Sequence, residues 1–230
     1  MSAHPLTETV ATAAAGAVLA GAVGSALGVA VPAAVVGGDN GAITGKRRIY
    51  DWSSAMGAGA FALDSTWALA TTTAGLIAHG VAALRGAPQY SPEFSERCNR
   101  HVYGRGFQPR KGFAITLGNV VNGAGDLSRA RRAKLVTDHE DVHVWQARAF
   151  GPTYPVLYLG WMVGGAAAGA AVWATVRRDE RLSKVVESCA YYLNPFEWWA
   201  YSRDDHWPPS GKVDRLGWKR PAVRSFASFR

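Results

Sequence analysis

The chain has 230 residues and carries 25 Lys and Arg against 17 Asp and Glu, a formal net charge of +8. An apolar share of 48% excludes a disordered coil, and two cysteines, Cys98 and Cys189, exclude a disulfide scaffold. Charged residues are 18% of the chain, below the roughly 25% of a soluble domain, and they are strongly segregated.

Thr9 to Gly38 contains no charged residue, and the run is almost all Ala, Gly, Val and Leu. About 20 such residues, rising ~1.5 Å each, match a hydrocarbon core about 30 Å thick. Residues 1–8 hold no Lys or Arg, so the positive region of a secretory signal is missing. Gly16, Ala20, Gly24 and Gly28 recur every fourth residue, the small-residue stripe that lets helices approach closely in lipid. The stretch from Gly37 to Gly41 reads as a turn. A second gap, Trp52 to Leu84, is interrupted only by Asp64. Residues 1–85 are therefore expected to form a transmembrane helical hairpin. Asp64 should bond Ser or Thr hydroxyls on the facing helix or lie near the interface, with a proton or ion role as the sharper alternative.

Residues 86–148 are the polar middle. Phe113, Ile115 and Leu117 alternate with smaller residues in strand periodicity, and Asn122-Gly123 has hairpin-turn chemistry. Asp126 is placed to cap a helix that starts near Leu127 or Lys134, runs to Phe150 and stops at Gly151-Pro152. On it lies His139-Glu140-Asp141-Val142-His143, an H-E-x-x-H motif. Residues four apart share one helix face, so both imidazoles can reach one Zn²⁺, with Glu140 leaning toward the open position as general base. Gln146 continues that face as a hydrogen-bond partner for a ligand.

Two histidines do not complete a catalytic site, which needs a third protein ligand. Glu197, in Asn194-Pro195-Phe196-Glu197, follows a proline suited to starting a helix and would complete a His₂Glu set. Tyr201, one turn beyond, is a candidate oxyanion donor or an interfacial hydroxyl. Four segments carry a family resemblance: Thr116-Leu117-Gly118-Asn119, His139-Glu140-x-x-His143-x-x-Gln146, Gly151-Pro152-x-Tyr154 and Asn194-Pro195-x-Glu197-x-x-Ala200. Over residues 110–202 the chain resembles the zincin metallopeptidases, and more closely small bacterial H-E-x-x-H proteins with a following N-P-x-E-x-x-A element. The resemblance implies a zinc site from His139, His143 and Glu197, with Glu140 as base, and hydrolysis of a peptide or protein substrate.

A third gap, 149–176, separates the two halves of that site. A single crossing would put His139 and Glu197 on opposite sides, so either Gly164-Gly165 breaks the segment into a re-entrant or interfacial helical hairpin, which is the expectation here, or Glu197 is not a ligand. Gly160/Gly164 and Gly165/Gly169 repeat the close-approach spacing. Eleven Lys and Arg in 85–148, against Lys46, Arg47 and Arg48 in the first loop, favour a cytoplasmic metal domain. Six Lys and Arg in 212–230 fit anionic headgroups. No nucleic-acid module accompanies the basic balance.

The expected architecture is thus mainly α and membrane-bound. The hairpin occupies 1–85. A small α+β zincin-like domain occupies 86–202, with a short β-hairpin, the H-E-x-x-H helix and a Glu-bearing helix, and it includes the apolar membrane-associated segment 149–176. A basic tail covers 203–230. The expected location is the bacterial inner membrane, multi-pass. The alternative function is a non-catalytic accessory or scaffold subunit that docks into a larger envelope transport complex through its Gly/Ala helix faces.

Overall fold

Helices α1, Pro5–Ala26, and α2, Ala30–Lys46, open the computed structural model of the protein. The structure describes residues 5–84, 89–108, 112–214 and 216–224. The expected boundary at 85/86 and the last six residues of the basic tail lie outside the described residues. The described chain is mainly helical, with one small sheet, and divides into two units, Met1–Pro152 and Thr153–Arg230.

In the first unit α1 and α2 run antiparallel. Their turn is at residues 27–29, not at 37–41 as the glycine run suggested. The reason is close approach. A Cβ on Gly37 would overlap the Gly16 carbonyl, and one on Gly41 would overlap that of Thr12. These glycines are needed inside α2, where the two backbones touch, and the Thr12 hydroxyl donates to the Gly41 carbonyl at 2.7 Å. Gly16, Ala20 and Gly24 all face α2, whereas Gly28 sits in the turn with φ +73°.

Helices α3, Ala55–Asp64, and α4, Leu69–Leu84, correct the expectation of one straight span, because they meet at 84°. Asp64 lies at the break, 2% exposed, and accepts from Arg148 Nε at 2.9 Å and Nη2 at 2.8 Å. Tyr50 and Asn119 donate to the same carboxylate at 2.9 and 3.1 Å. Its main partner is therefore a guanidinium, not a Ser or Thr hydroxyl of a facing helix. A carboxylate with this many donors must stand among polar elements, and the helix turns there.

Strands β1, His101–Val102, β2, Ile115–Leu117, and β3, Val120–Asn122, form a sheet in the order β1-β3-β2. β1 pairs parallel to β3, and β2 antiparallel to it. The hairpin turn is Gly118-Asn119, not Asn122-Gly123, since Leu117 pairs with Val120. Gly118 has φ +57°, and a Cβ there would also strike the Thr71 carbonyl. A positive φ at the first of two loop residues is what a tight hairpin needs. Val102, Val121, Ala124, Val136 and Val144 form the core between this sheet and the following helix.

That helix has three parts. α5 is Ala130–Lys134, a π-helical segment spans Leu135–Glu140, and α6 is Asp141–Phe150. Asp126 does not cap it. The Asp126 carboxylate accepts from the backbone N–H and hydroxyl of Ser128, a local turn that precedes the helix. Gly151 ends α6 with φ +52°, as expected of Gly151-Pro152.

The second unit begins with α7, Thr153–Val176, and Gly164-Gly165 does not break it. Its 24 residues reach about 36 Å at the usual helical rise. Gly165 and Gly169 serve close packing instead. A Cβ on Gly165 would meet the Cys189 carbonyl oxygen at 2.6 Å, and one on Gly169 would meet Val186 Cα at 2.9 Å. The chain returns along α7 as α8, Leu182–Glu187, and a second π-helical segment, Ser188–Tyr192. α9, Pro195–Arg203, follows. The segment after α9 lies against it, with Trp198 and Trp218 stacked at 4.7 Å and Ala222 N–H donating to Ser202 Oγ.

Among the described residues, Leu6–Ala26 and Thr153–Val176 are long and apolar enough to cross a membrane, and the bent α3–α4 pair is either one broken span or a re-entrant loop.

Candidate metal centre

His139 and Glu140 close the π-helical segment, and His143 lies in the first turn of α6. π-Helical turns inside α-helices recur at functional sites because the extra residue re-aims the side chains around it. The two imidazoles stand edge to face with centroids 5.0 Å apart. His139 is 2% exposed and His143 6%. His143 Nδ1 lies 2.8 Å from Gln146 Oε1. An amide oxygen only accepts, so Nδ1 carries the proton and the Nε2 lone pair is left for a metal. Gln146 thus bonds His143, as its place on the same helix face suggested.

Glu140 is fixed from the sheet. The hydroxyl of Thr116, in the middle of β2, donates to Glu140 Oε2 at 2.7 Å. Flanking ion pairs hold the rest of the motif: Lys134 Nζ lies 2.8 Å from Asp138 Oδ2, and Arg100 bonds Asp141. Burial pushes the Asp141 carboxyl above its usual range, against the downward pull of Arg100.

Glu197 is 2% exposed, in the first turn of α9. That turn forms as the sequence suggests, with Pro195 at its start and Asn194 Oδ1 accepting from Phe196 N–H at 3.1 Å. The Tyr158 hydroxyl, on the second turn of α7, donates to Glu197 Oε1 at 2.7 Å. Phe196 stacks on Tyr158 and meets Tyr154 edge on, which sets α9 against the start of α7.

His139 and His143 are a buried pair in the first unit, and Glu197 is a buried carboxylate in the second. Imidazole and carboxylate groups of this kind can each offer one atom to a metal ion. Tyr201 lies one turn beyond Glu197 on α9 and packs against Cys189, Tyr192, Leu193 and Val213, with its ring 5.8 Å from that of Tyr192.

Three features were missed in the sequence. Thr116 was visible only as part of a motif, Tyr158 only as one hydroxyl in an apolar run, and the Asp64–Arg148 pair only as two charges at the margins of such runs. Cys98 and Cys189 are free thiols, and His101 packs edge to face on His79 at 4.6 Å.

Comparison with protein-family models, curated proteins and solved structures finds no match to this chain.

Proposed function

We propose that the protein is an integral membrane zinc hydrolase of the zincin type that cleaves peptide bonds. The observation that carries this is the buried His139/His143 pair, with Gln146 bonded to His143, beside a carboxylate, Glu140, held by its own hydroxyl donor; the buried Glu197 is taken as the third ligand. The donor set fits zinc, which takes imidazole and carboxylate ligands and leaves a fourth position open in catalytic sites. When bound, zinc supplies Lewis acidity and brings the pKa of water in that position toward neutrality. Glu140 then takes the proton of the attacking water and passes it to the leaving amine. Thr116 keeps the Glu140 carboxylate oriented, Gln146 fixes the His143 tautomer, and Tyr158 restrains Glu197. Tyr201 remains the candidate oxyanion donor.

The membrane reading rests on α1 and α7. α7 leads away and the α8 segment returns, so Glu197 ends beside the second turn of α7, at the end where α7 began.

Purified protein should carry about one zinc per chain by elemental analysis, lost in the double substitution His139→Ala, His143→Ala. Glu140→Gln should keep the zinc and lose cleavage of a mixed tryptic peptide pool read by mass spectrometry. Metal-free wild type, or cleavage unchanged in Glu140→Gln, would overturn the reading. Carbonate extraction tests the membrane part, since the chain should stay in the pellet. Single cysteines at the exposed Ser128 and Asp205, in a Cys98→Ser, Cys189→Ser background, should label from the same side of intact cells.

One observation favours the second reading, an accessory subunit of a larger membrane complex. A Cβ on Gly160 or Gly164 would meet nothing, so a small-residue face of α7 is open to another helix. A stoichiometric complex purified in mild detergent, together with an inert Glu140→Gln comparison, would select it.

A further inference from the structure

We infer that the cleft beside the first turns of α1 binds one zwitterionic phospholipid, of the phosphatidylethanolamine kind. The inference rests on reading α1 as a membrane span and is independent of the metal centre. The cleft has a volume of about 810 Å³ and is polar at one end and apolar at the other.

At the polar end, Glu8 of α1 is bound by Arg97 through two contacts of 2.7 Å and by the Trp52 indole N–H at 2.8 Å. Arg48 borders the same end. Its Nη1 pairs with the exposed Glu96 at 3.0 Å, and its Nε lies 3.8 Å from Glu8. Asp51 completes the charged lining. Two cations and two anions make this end neutral overall but locally divided, which complements a headgroup with one phosphate and one ammonium. The Arg48 guanidinium, 31% exposed and held most closely by the solvent-facing Glu96, is the cation for the phosphate, and the carboxylate of Asp51 accepts from the ammonium.

The apolar end is walled by Ala11 and Ala15, exposed on α1 one and two turns further along, and by the ring of Phe61 in α3. The polarity of the cleft therefore changes along α1 in the same order as a bilayer does from its surface inward. The Trp52 ring, 42% exposed, lies where indoles collect at that surface. A soluble anion would use the arginines and leave the alanine wall idle, whereas a lipid uses both.

Native mass spectrometry of the full chain tests this. Wild type reconstituted into vesicles of equal phosphatidylethanolamine and phosphatidylglycerol, then returned to mild detergent and washed, should retain about one phosphatidylethanolamine per chain. Ala15→Trp, which fills the apolar half, and Arg48→Glu, which reverses the phosphate donor, should each lower retention at least tenfold with helical content by circular dichroism unchanged. No retained lipid in wild type, equal retention in whichever variant keeps its helical content, or preferential retention of phosphatidylglycerol would each overturn the inference.

Discussion

The Tyr158 hydroxyl stands 2.7 Å from Oε1 of Glu197, joining the second turn of α7 to the first turn of α9. One hydrogen bond thus records that the chain travels along α7 and comes back. It also restrains a carboxylate that the metal would use. Partners of this kind typically change metal affinity 10–100-fold. Tyr158→Phe should weaken zinc binding by that factor in competition with a chromogenic chelator, while full occupancy is still reached at saturating zinc. Unchanged affinity would show that Glu197 is not a ligand.

Thr116 bonds the proposed base, Glu140, and none of the proposed ligands. Thr116→Val removes the donor to Glu140 and keeps the β-branched shape. Zinc content should stay at wild-type level, and kcat for peptide cleavage should fall about tenfold, the scale of one lost orienting hydrogen bond of 1–1.5 kcal/mol.

The Asp64–Arg148 pair is 2% and 1% exposed, so neither charge has water to fall back on. Arg148→Met should cost about 3–5 kcal/mol by leaving the carboxylate uncompensated, and Asp64→Leu about as much. The double substitution should recover a large part of the loss. Unfolding by detergent titration, run as a double-mutant cycle, checks the sign of the coupling.

Close approach of α1 and α2 depends on glycine. Gly41→Val drives a side chain into the Thr12 carbonyl and removes the partner geometry of the Thr12 hydroxyl. It should separate the pair and lower thermal stability markedly. Gly59→Val, at a position with open space around it, should have a small effect.

His101 supplies a pH dependence. It is wholly buried, and burial drives its pKa well below the usual 6.5, helped by the positive Arg47 and Arg148. The unfolded chain therefore binds a proton that the folded one does not. Stability from this residue is full above about pH 6.5 and falls as pH drops below it, by about 1.4 kcal/mol per unit. His101→Phe keeps the ring shape and should make the loss of stability between pH 6.5 and 5 shallower, measured by chemical unfolding.

The H-E-x-x-H motif, the Pro-led helix bearing Glu197 and the role of Gln146 could all be read from the sequence, because each depends on helical spacing within a few residues. So could the apolarity of α1 and α7. The turns were misread for a common reason. Glycine marks both a turn and a close contact between helices, and only the neighbour distinguishes Gly37 and Gly41 from Gly28 and Gly118. The same ambiguity made Gly164-Gly165 look like a break, where Gly165 in fact packs on the Cys189 backbone.

By itself the sequence determined what is local: segment polarity, the helical register of His139, Glu140 and His143, and the cap that starts α9. The tertiary structure decided what depends on distant partners. It bent α3 against α4 at Asp64 because Arg148, far along the chain, neutralises that carboxylate. It also set Thr116 on Glu140 and Tyr158 on Glu197, since a single hydroxyl in a strand or an apolar helix has no pattern until folding brings its acceptor to it.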